Sequence, residues 1–213
     1  MIVAVIDYGS GNLRSAAKAI EKVVSEIGRG KVLITRDPKE VLNATHIVLP
    51  GQGSFVDCML GLKSIGGMID ALENQVVNKS LPFLGICVGM QLTADAGEEN
   101  QEVDGLGWVP GKVVKINPQN PSLKIPHMGW NSVKLTSSKH PIKSTLQKET
   151  EMYFVHSYHF EVKNSDHLLG TTDYEETLAA IVGKNNIVGT QFHPEKSQLA
   201  GLKFIEWFLR WRP

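Results

Sequence analysis

A single three-layer α/β domain with a mostly parallel sheet is the fold class this sequence predicts. Two observations carry that prediction. In the first half, short apolar runs alternate with helix-period patterns, the β-α-β texture of a parallel sheet covered on both faces. After Gln91-Leu92-Thr93 the texture changes to strand-like runs joined by turn-rich loops, which reads as an antiparallel extension. A length of 213 residues fits one domain, 1–213, with a sizeable core.

Taken in order, residues 2–7 form the first expected strand. A helix follows over 13–27, because Ala16, Ala17, Ile20, Val23 and Val24 share one stripe. Residues 31–35, 45–50 and 82–87 are further strands, with a helix over 65–77 between the last two. Later strands are expected over 109–116, 132–135, 152–155 and 179–189, with a hairpin turn at Asn185-Asn186. The last helix, 199–211, places Leu202, Ile205, Phe208 and Leu209 against the sheet. Asn117-Pro118-Gln119-Asn120-Pro121 is a loop and not a domain boundary.

Charge and composition narrow the partners. Lys+Arg and Asp+Glu are both 22, which argues against nucleic acid or an anionic membrane as the main partner. Two cysteines, Cys58 and Cys87, are too few for a disulfide framework and suit a reducing compartment. Cys58 is read as a structural or surface thiol. No signal-peptide pattern precedes the first strand, and no apolar run approaches the ~20 residues of a membrane span. A cytosolic protein is expected.

The densest chemical signal is Leu84-Gly85-Ile86-Cys87-Val88-Gly89-Met90-Gln91. A cysteine between two glycines, after an apolar run and before a helical pattern, suits a strand-to-helix elbow that presents a nucleophile. The helix N-terminus favours thiolate, and the Val88 N–H points where an oxyanion forms. Alone, such a cysteine is equally read as a small core residue. His193-Pro194-Glu195 supplies a base: along an extended segment His193 and Glu195 face the same side, and Pro194 biases His193 toward extended geometry. A carboxylate there orients the imidazole, which keeps the thiol ionised. In isolation this pair reads as two surface residues of a strand. A third piece, Pro50-Gly51-Gln52-Gly53, follows a strand and can aim N–H groups at an anion, although an ordinary strand-to-helix loop looks the same.

Other signatures are missing. Gly9-Ser10-Gly11 lacks the third glycine of G-x-G-x-x-G, since Arg14 stands there, and no G-x-x-x-x-G-K-[S/T] occurs. The histidines are scattered and no cysteine pair supports zinc. No metal and no nucleotide or other cofactor is expected.

Together the Pro-Gly-x-Gly, Gly-x-Cys-x-Gly-x-Gln and His-Pro-Glu motifs, in that order, resemble the class I (triad) glutamine amidotransferases. Asp7-Tyr8-Gly9-Ser10-Gly11-Asn12-Leu13, Pro126-His127-Met128-Gly129-Trp130-Asn131 and Tyr153-Phe154-Val155-His156-Ser157-Tyr158 resemble the glutaminase subunits of imidazole glycerol phosphate synthases. The resemblance spans essentially the whole chain. It implies a flavodoxin-like sheet with a nucleophile elbow, and a Cys87-His193-Glu195 triad that releases ammonia from glutamine. It implies an oxyanion hole from Val88, Gln52 and Gly53, and glutamine contacts from Gly51, Gly53, Gln91, Ser157, Tyr158 and Ser197. It also implies a partner, a (β/α)8-barrel synthase subunit that uses the ammonia to close an imidazole ring in histidine biosynthesis. Asn12, Trp130 and Lys196 match positions implied to face it, although a tryptophan is as readily a core residue.

Rival bases are His127, His156 and His159, which lack a carboxylate two residues away. Gln52 departs from the small apolar residue frequent at that position, which bears on partner-dependent activation more than on the triad. Competing readings are a paralogue that supplies ammonia for sugar amidation in surface-polysaccharide synthesis, and a stand-alone cysteine-elbow hydrolase.

Overall fold

The computed structural model describes residues 1–9, 12–99, 101–136, 140–144, 146 and 149–213. Ser10 and Gly11 of the amino-end motif lie outside them.

The first half runs β1 (Ile2–Ile6), α1 (Leu13–Ile27), β2 (Lys31–Thr35), α2 (Pro38–Val41), β3 (His46–Gly51), α3 (Phe55–Lys63), α4 (Met68–Glu73), β4 (Phe83–Cys87) and the single turn α5 (Val88–Gln91). The second half adds β5 (Ala96–Glu99), β6 (Gln101–Asp104), β7 (Gly111–Lys115), β8 (His127–Leu135), β9 (Glu149–His156), β10 (Tyr158–Val162), β11 (Leu168–Tyr174), β12 (Glu176–Lys184), β13 (Ile187–Thr190) and α6 (Gln198–Arg210).

Among the described residues the main sheet has the order β2-β1-β3-β4-β13-β12-β11-β8-β9. Its first five strands are mutually parallel, in the 2-1-3-4-5 order of a flavodoxin-like sheet, with β13 in fifth place. Burial explains why these strands are parallel: Ile47, Val48, Leu49, Phe83 and Leu84 are buried, so both faces are covered. The expected stripe of α1 is buried and the helix stops at Gly28 in left-handed conformation (φ 78°). Helix α1 packs on α6, while α3 and α4 pack together.

Three expectations are corrected. The helix over 65–77 starts only at Met68, because Gly67 at φ 79° interrupts the backbone, and it ends in a wider turn over Asn74–Asn78. Helix α3 was not expected, although Ser54 caps it by accepting from the Asp57 N–H at 3.0 Å, a signal readable from Ser54-Phe55-Val56-Asp57. The antiparallel extension divides: β12, β11, β8 and β9 continue the main sheet, whereas the expected strand 109–116 belongs to a separate sheet, β10-β7-β5-β6.

Candidate active site

Cys87 ends β4 at the carboxyl edge of the parallel strands, where open α/β sheets bind ligands. Its backbone adopts φ 54°, ψ −114°, a conformation that costs a non-glycine residue of order 1–3 kcal/mol and marks functional turns. The flanking glycines are there because backbones touch. A Cβ on Gly89 would lie 1.8 Å from the Leu49 carbonyl oxygen, and one on Gly85 would lie 2.5 Å from that of Gly89. The elbow is therefore wedged against β3.

The base comes from the other side. His193 Nδ1 donates to Glu195 Oε1 at 2.8 Å, with side chains 3% and 1% exposed, and the imidazole also hydrogen-bonds Cys87. Burial opposes a charge on His193, but the hydrogen bonds to Cys87 and Glu195 prevail and raise its pKa from 6.5 to about 9. The Asn12 amide donates to the same Glu195 oxygen. His193 is extended, as Pro194 requires, but Glu195 does not follow along a strand. It lies in a single turn over Pro194–Lys196, and that turn brings the carboxylate back to the ring.

Hydrogen bonds from Tyr153 and Ser197 hold this turn. The His193 N–H donates to the Tyr153 carbonyl at 2.9 Å. Ser197 Oγ donates to the His193 carbonyl at 2.7 Å and accepts from the Tyr153 N–H at 3.0 Å.

Cys87 and His193 open into a cavity of about 270 Å³, below the ~300–1,000 Å³ typical for drug-sized ligands and suited to something the size of an amino acid. Of the expected residues, Gln52, Gly53, Val88, Gln91, Ser157 and Tyr158 line it. Gly51 does not. It sits behind, paired with Cys87, where a Cβ would lie 2.4 Å from the Gly89 nitrogen. Ser197 also stays away from the cavity, its hydroxyl taken up in the turn.

Glu99, Pro126 and Val155 line the cavity without having been expected, and so does His156, which had been named only as a rival base. Glu99 also accepts from the Phe55 N–H at 2.7 Å, which caps α3 beside the Gln52-Gly53 loop. Gln191 was missed as well: its amide donates toward Cys87 Sγ at 3.6 Å. No spacing in the sequence announces either side chain, because both reach the site through strand pairing.

Burial pushes the rival bases toward their neutral forms: His127 to about 4, His156 to about 3, and His159 below its usual value. Trp130 is 47% exposed, so it is not a core residue; it meets Tyr153 edge-on at 6.1 Å, and Lys196 Nζ sits 5.8 Å from the same ring. Among the described residues no cluster of His, Cys, Asp and Glu could hold a metal ion. A thiol, a charged imidazole and an orienting carboxylate at a small cavity suit nucleophilic attack on an acyl carbon.

Comparison with known proteins agrees with that chemistry. Residues 4–210 match the family glutamine amidotransferase class-I. The chain is 51% identical to imidazole glycerol phosphate synthase subunit HisH of Rhodospirillum rubrum, over the full length of both. It is also 51% identical to the HisH of Zymomonas mobilis, over 99% of this chain and 96% of that one. Among solved structures, a glutamine amidotransferase superimposes with a TM-score of 0.71 at 17% identity, covering 99% of this chain and 98% of that one. The glutaminase domain of Trypanosoma brucei CTPS with bound acivicin gives 0.67 at 16%, covering 100% and 95%.

Proposed function

Because the chain belongs to the class I glutamine amidotransferase family, we propose that Cys87, His193 and Glu195 are the triad with which it hydrolyses glutamine to glutamate and ammonia. It is the glutaminase subunit of an imidazole glycerol phosphate synthase, in histidine biosynthesis, in keeping with its full-length similarity to such subunits. The observation that carries the site reading is a strained, cavity-facing Cys87 in contact with a buried imidazole that a carboxylate orients.

The steps follow from the geometry. Cys87 thiolate attacks the carboxamide carbon of glutamine, and the carbonyl electron pair moves onto oxygen. The N–H of Val88, unpaired within its helix as a first-turn donor, and one from Gln52 or Gly53 hold that oxyanion. Removing one such donor costs ~10²–10³ in rate. The imidazolium of His193 gives its proton to the departing nitrogen, which leaves as ammonia, and a glutamyl thioester remains on Cys87. Neutral His193 then takes a proton from water while the water oxygen attacks the thioester. Glutamate departs and the thiolate–imidazolium pair returns. Glu99 faces the α-ammonium of glutamine, while Gln91, Ser157 and Tyr158 hold the rest of it.

Ammonia passes to the partner synthase subunit, a (β/α)8 barrel, which docks against Trp130, Lys196 and Asn12. Docking activates the glutaminase by settling the Gly51-Gln52-Gly53 backbone. A cytosolic setting fits two cysteines that form no disulfide, and no described helix is long and apolar enough to cross a membrane.

The test is glutamate release from glutamine by the purified chain, alone and with a cognate synthase subunit carrying its ribonucleotide ligand. Strong stimulation that Cys87→Ala abolishes is expected. Activity that survives Cys87→Ala would overturn the triad, and absence of stimulation would move the sugar-amidation reading to the front.

A further inference from the structure

A chain of buried hydrogen bonds leads away from the nucleophile, and the steps above do not use its far half. Gln191 donates toward Cys87 Sγ at 3.6 Å, and Gln91 donates to Gln191 Oε1 at 3.0 Å and to the Tyr158 carbonyl at 3.1 Å. The same carbonyl lies 2.9 Å from His156 Nδ1; His156 Nε2 lies 2.9 Å from His127 Nδ1; and His127 Nε2 lies 3.1 Å from the Asn131 amide nitrogen. Gln91, Gln191, His127 and His156 are all buried.

Chemistry fixes the proton at each link. A carbonyl only accepts, so His156 Nδ1 carries a hydrogen and its Nε2 is the acceptor. His127 must then donate from Nδ1 and accept the Asn131 amide at Nε2. The arrangement requires both rings to be neutral, which burial favours. A second proton on His156 would set N–H against N–H at the 2.9 Å contact, and one on His127 would set N–H against the Asn131 amide at 3.1 Å.

The far end is attached to the surface. His127 and Asn131 lie on β8 with Met128 and Trp130 between them, and alternation turns those two outward, where both are exposed. In the β8–β9 register His127 stands opposite His156, and Trp130 opposite Tyr153. Tyr153 in turn holds the His193 turn, so one strand pair touches both halves of the triad.

We propose that His127 and His156 are positioning residues of the glutaminase: they form a neutral imidazole relay that fixes the Tyr158 carbonyl and the Gln91–Gln191 pair. Through that relay the exposed Met128–Trp130 strand sets the cavity wall and the donor at Cys87 Sγ. The inference rests on Cys87 being the nucleophile. It adds that the buried histidines serve turnover rather than packing alone.

Substitution at His127 separates the two roles, because this residue does not line the cavity. His127→Phe keeps an aromatic ring against Phe154 and Tyr174 but removes both nitrogens, whereas His127→Gln keeps one donor and one acceptor. Each full-length variant is assayed with the cognate synthase subunit for kcat and KM of glutamate release, for the rate of Cys87 alkylation by iodoacetamide, and for thermal unfolding. We expect His127→Phe to remain folded, to lower kcat/KM about tenfold and to alter Cys87 alkylation, and His127→Gln to recover most of the loss. If His127→Phe does not fold, Asn131→Ala removes the outermost donor, and a loss of at least about threefold in kcat/KM is expected. Wild-type kcat/KM in a folded His127→Phe or Asn131→Ala, beside an inactive Cys87→Ala, overturns the relay alone. Equal damage in folded His127→Gln and His127→Phe does the same. Activity in Cys87→Ala overturns the triad and the relay together.

Discussion

The two sides of the active site are built by different means. On the cysteine side, backbone packs on backbone: Gly85, Gly89 and Gly51 are glycine because any Cβ would enter a neighbouring main chain. On the histidine side, a short turn is tied down by hydrogen bonds from Tyr153, Ser197 and Asn12 and by the charge on His193. Sterics give the nucleophile one allowed position. Hydrogen bonds give the base a position that depends on protonation and on a strand that reaches the surface.

The sharpest way to break the cysteine side is Gly89→Ala. The added methyl would sit 1.8 Å from the Leu49 carbonyl oxygen, and backbone cannot move aside as a side-chain tip can. Either the elbow or β3 must shift, at a cost of about 3–5 kcal/mol. Urea unfolding should show that loss, together with loss of glutamate release. A loss below about 1 kcal/mol would mean that the elbow is not wedged.

The histidine side should respond to pH. His193 has a folded-state pKa raised from 6.5 to about 9, so its contribution to stability is complete below 6.5 and is lost as pH rises through 9. The loss should run at about 1.4 kcal/mol per pH unit in that window. His127 and His156 are lowered to about 4 and about 3, so their contribution is present above 6.5 and fades as pH falls toward those values. Unfolding midpoints between pH 7 and 9.5 should therefore fall more steeply for the wild type than for His193→Gln. Parallel curves would deny the charged imidazole its structural role.

The same contrast explains what the sequence revealed. The elbow was legible because its constraint is local: glycine, cysteine and glycine at fixed spacing after an apolar strand. The β-α-β alternation and helix α1 were legible from periodicity for the same reason, whereas the flavodoxin-like sheet came only from the family resemblance. Glu99, Gln191 and the position of His156 were not, since they depend on how β5, β13 and β9 register in two sheets, and only one sheet was expected. His193 and Glu195 were paired in advance through strand alternation, but a turn makes the contact. That turn depends on Ser197 and Tyr153, which are distant in sequence from each other.

Ser197→Ala sharpens this last point with the smallest expected effect. A direct glutamine contact and a structural hydroxyl predict different kinetics. The structure gives Ser197 Oγ two buried partners, the His193 carbonyl and the Tyr153 N–H, and no place on the cavity wall. Deleting it leaves the Tyr153 N–H unsatisfied, at about 1–3 kcal/mol, and leaves the His193 carbonyl with only the Lys196 N–H at 3.0 Å. The His193 turn should then loosen, so kcat should fall about tenfold while KM for glutamine changes little. A substrate contact would instead raise KM and leave kcat near its original value. Steady-state kinetics of the variant with its synthase partner distinguishes these outcomes, and a pure KM effect would return Ser197 to the substrate.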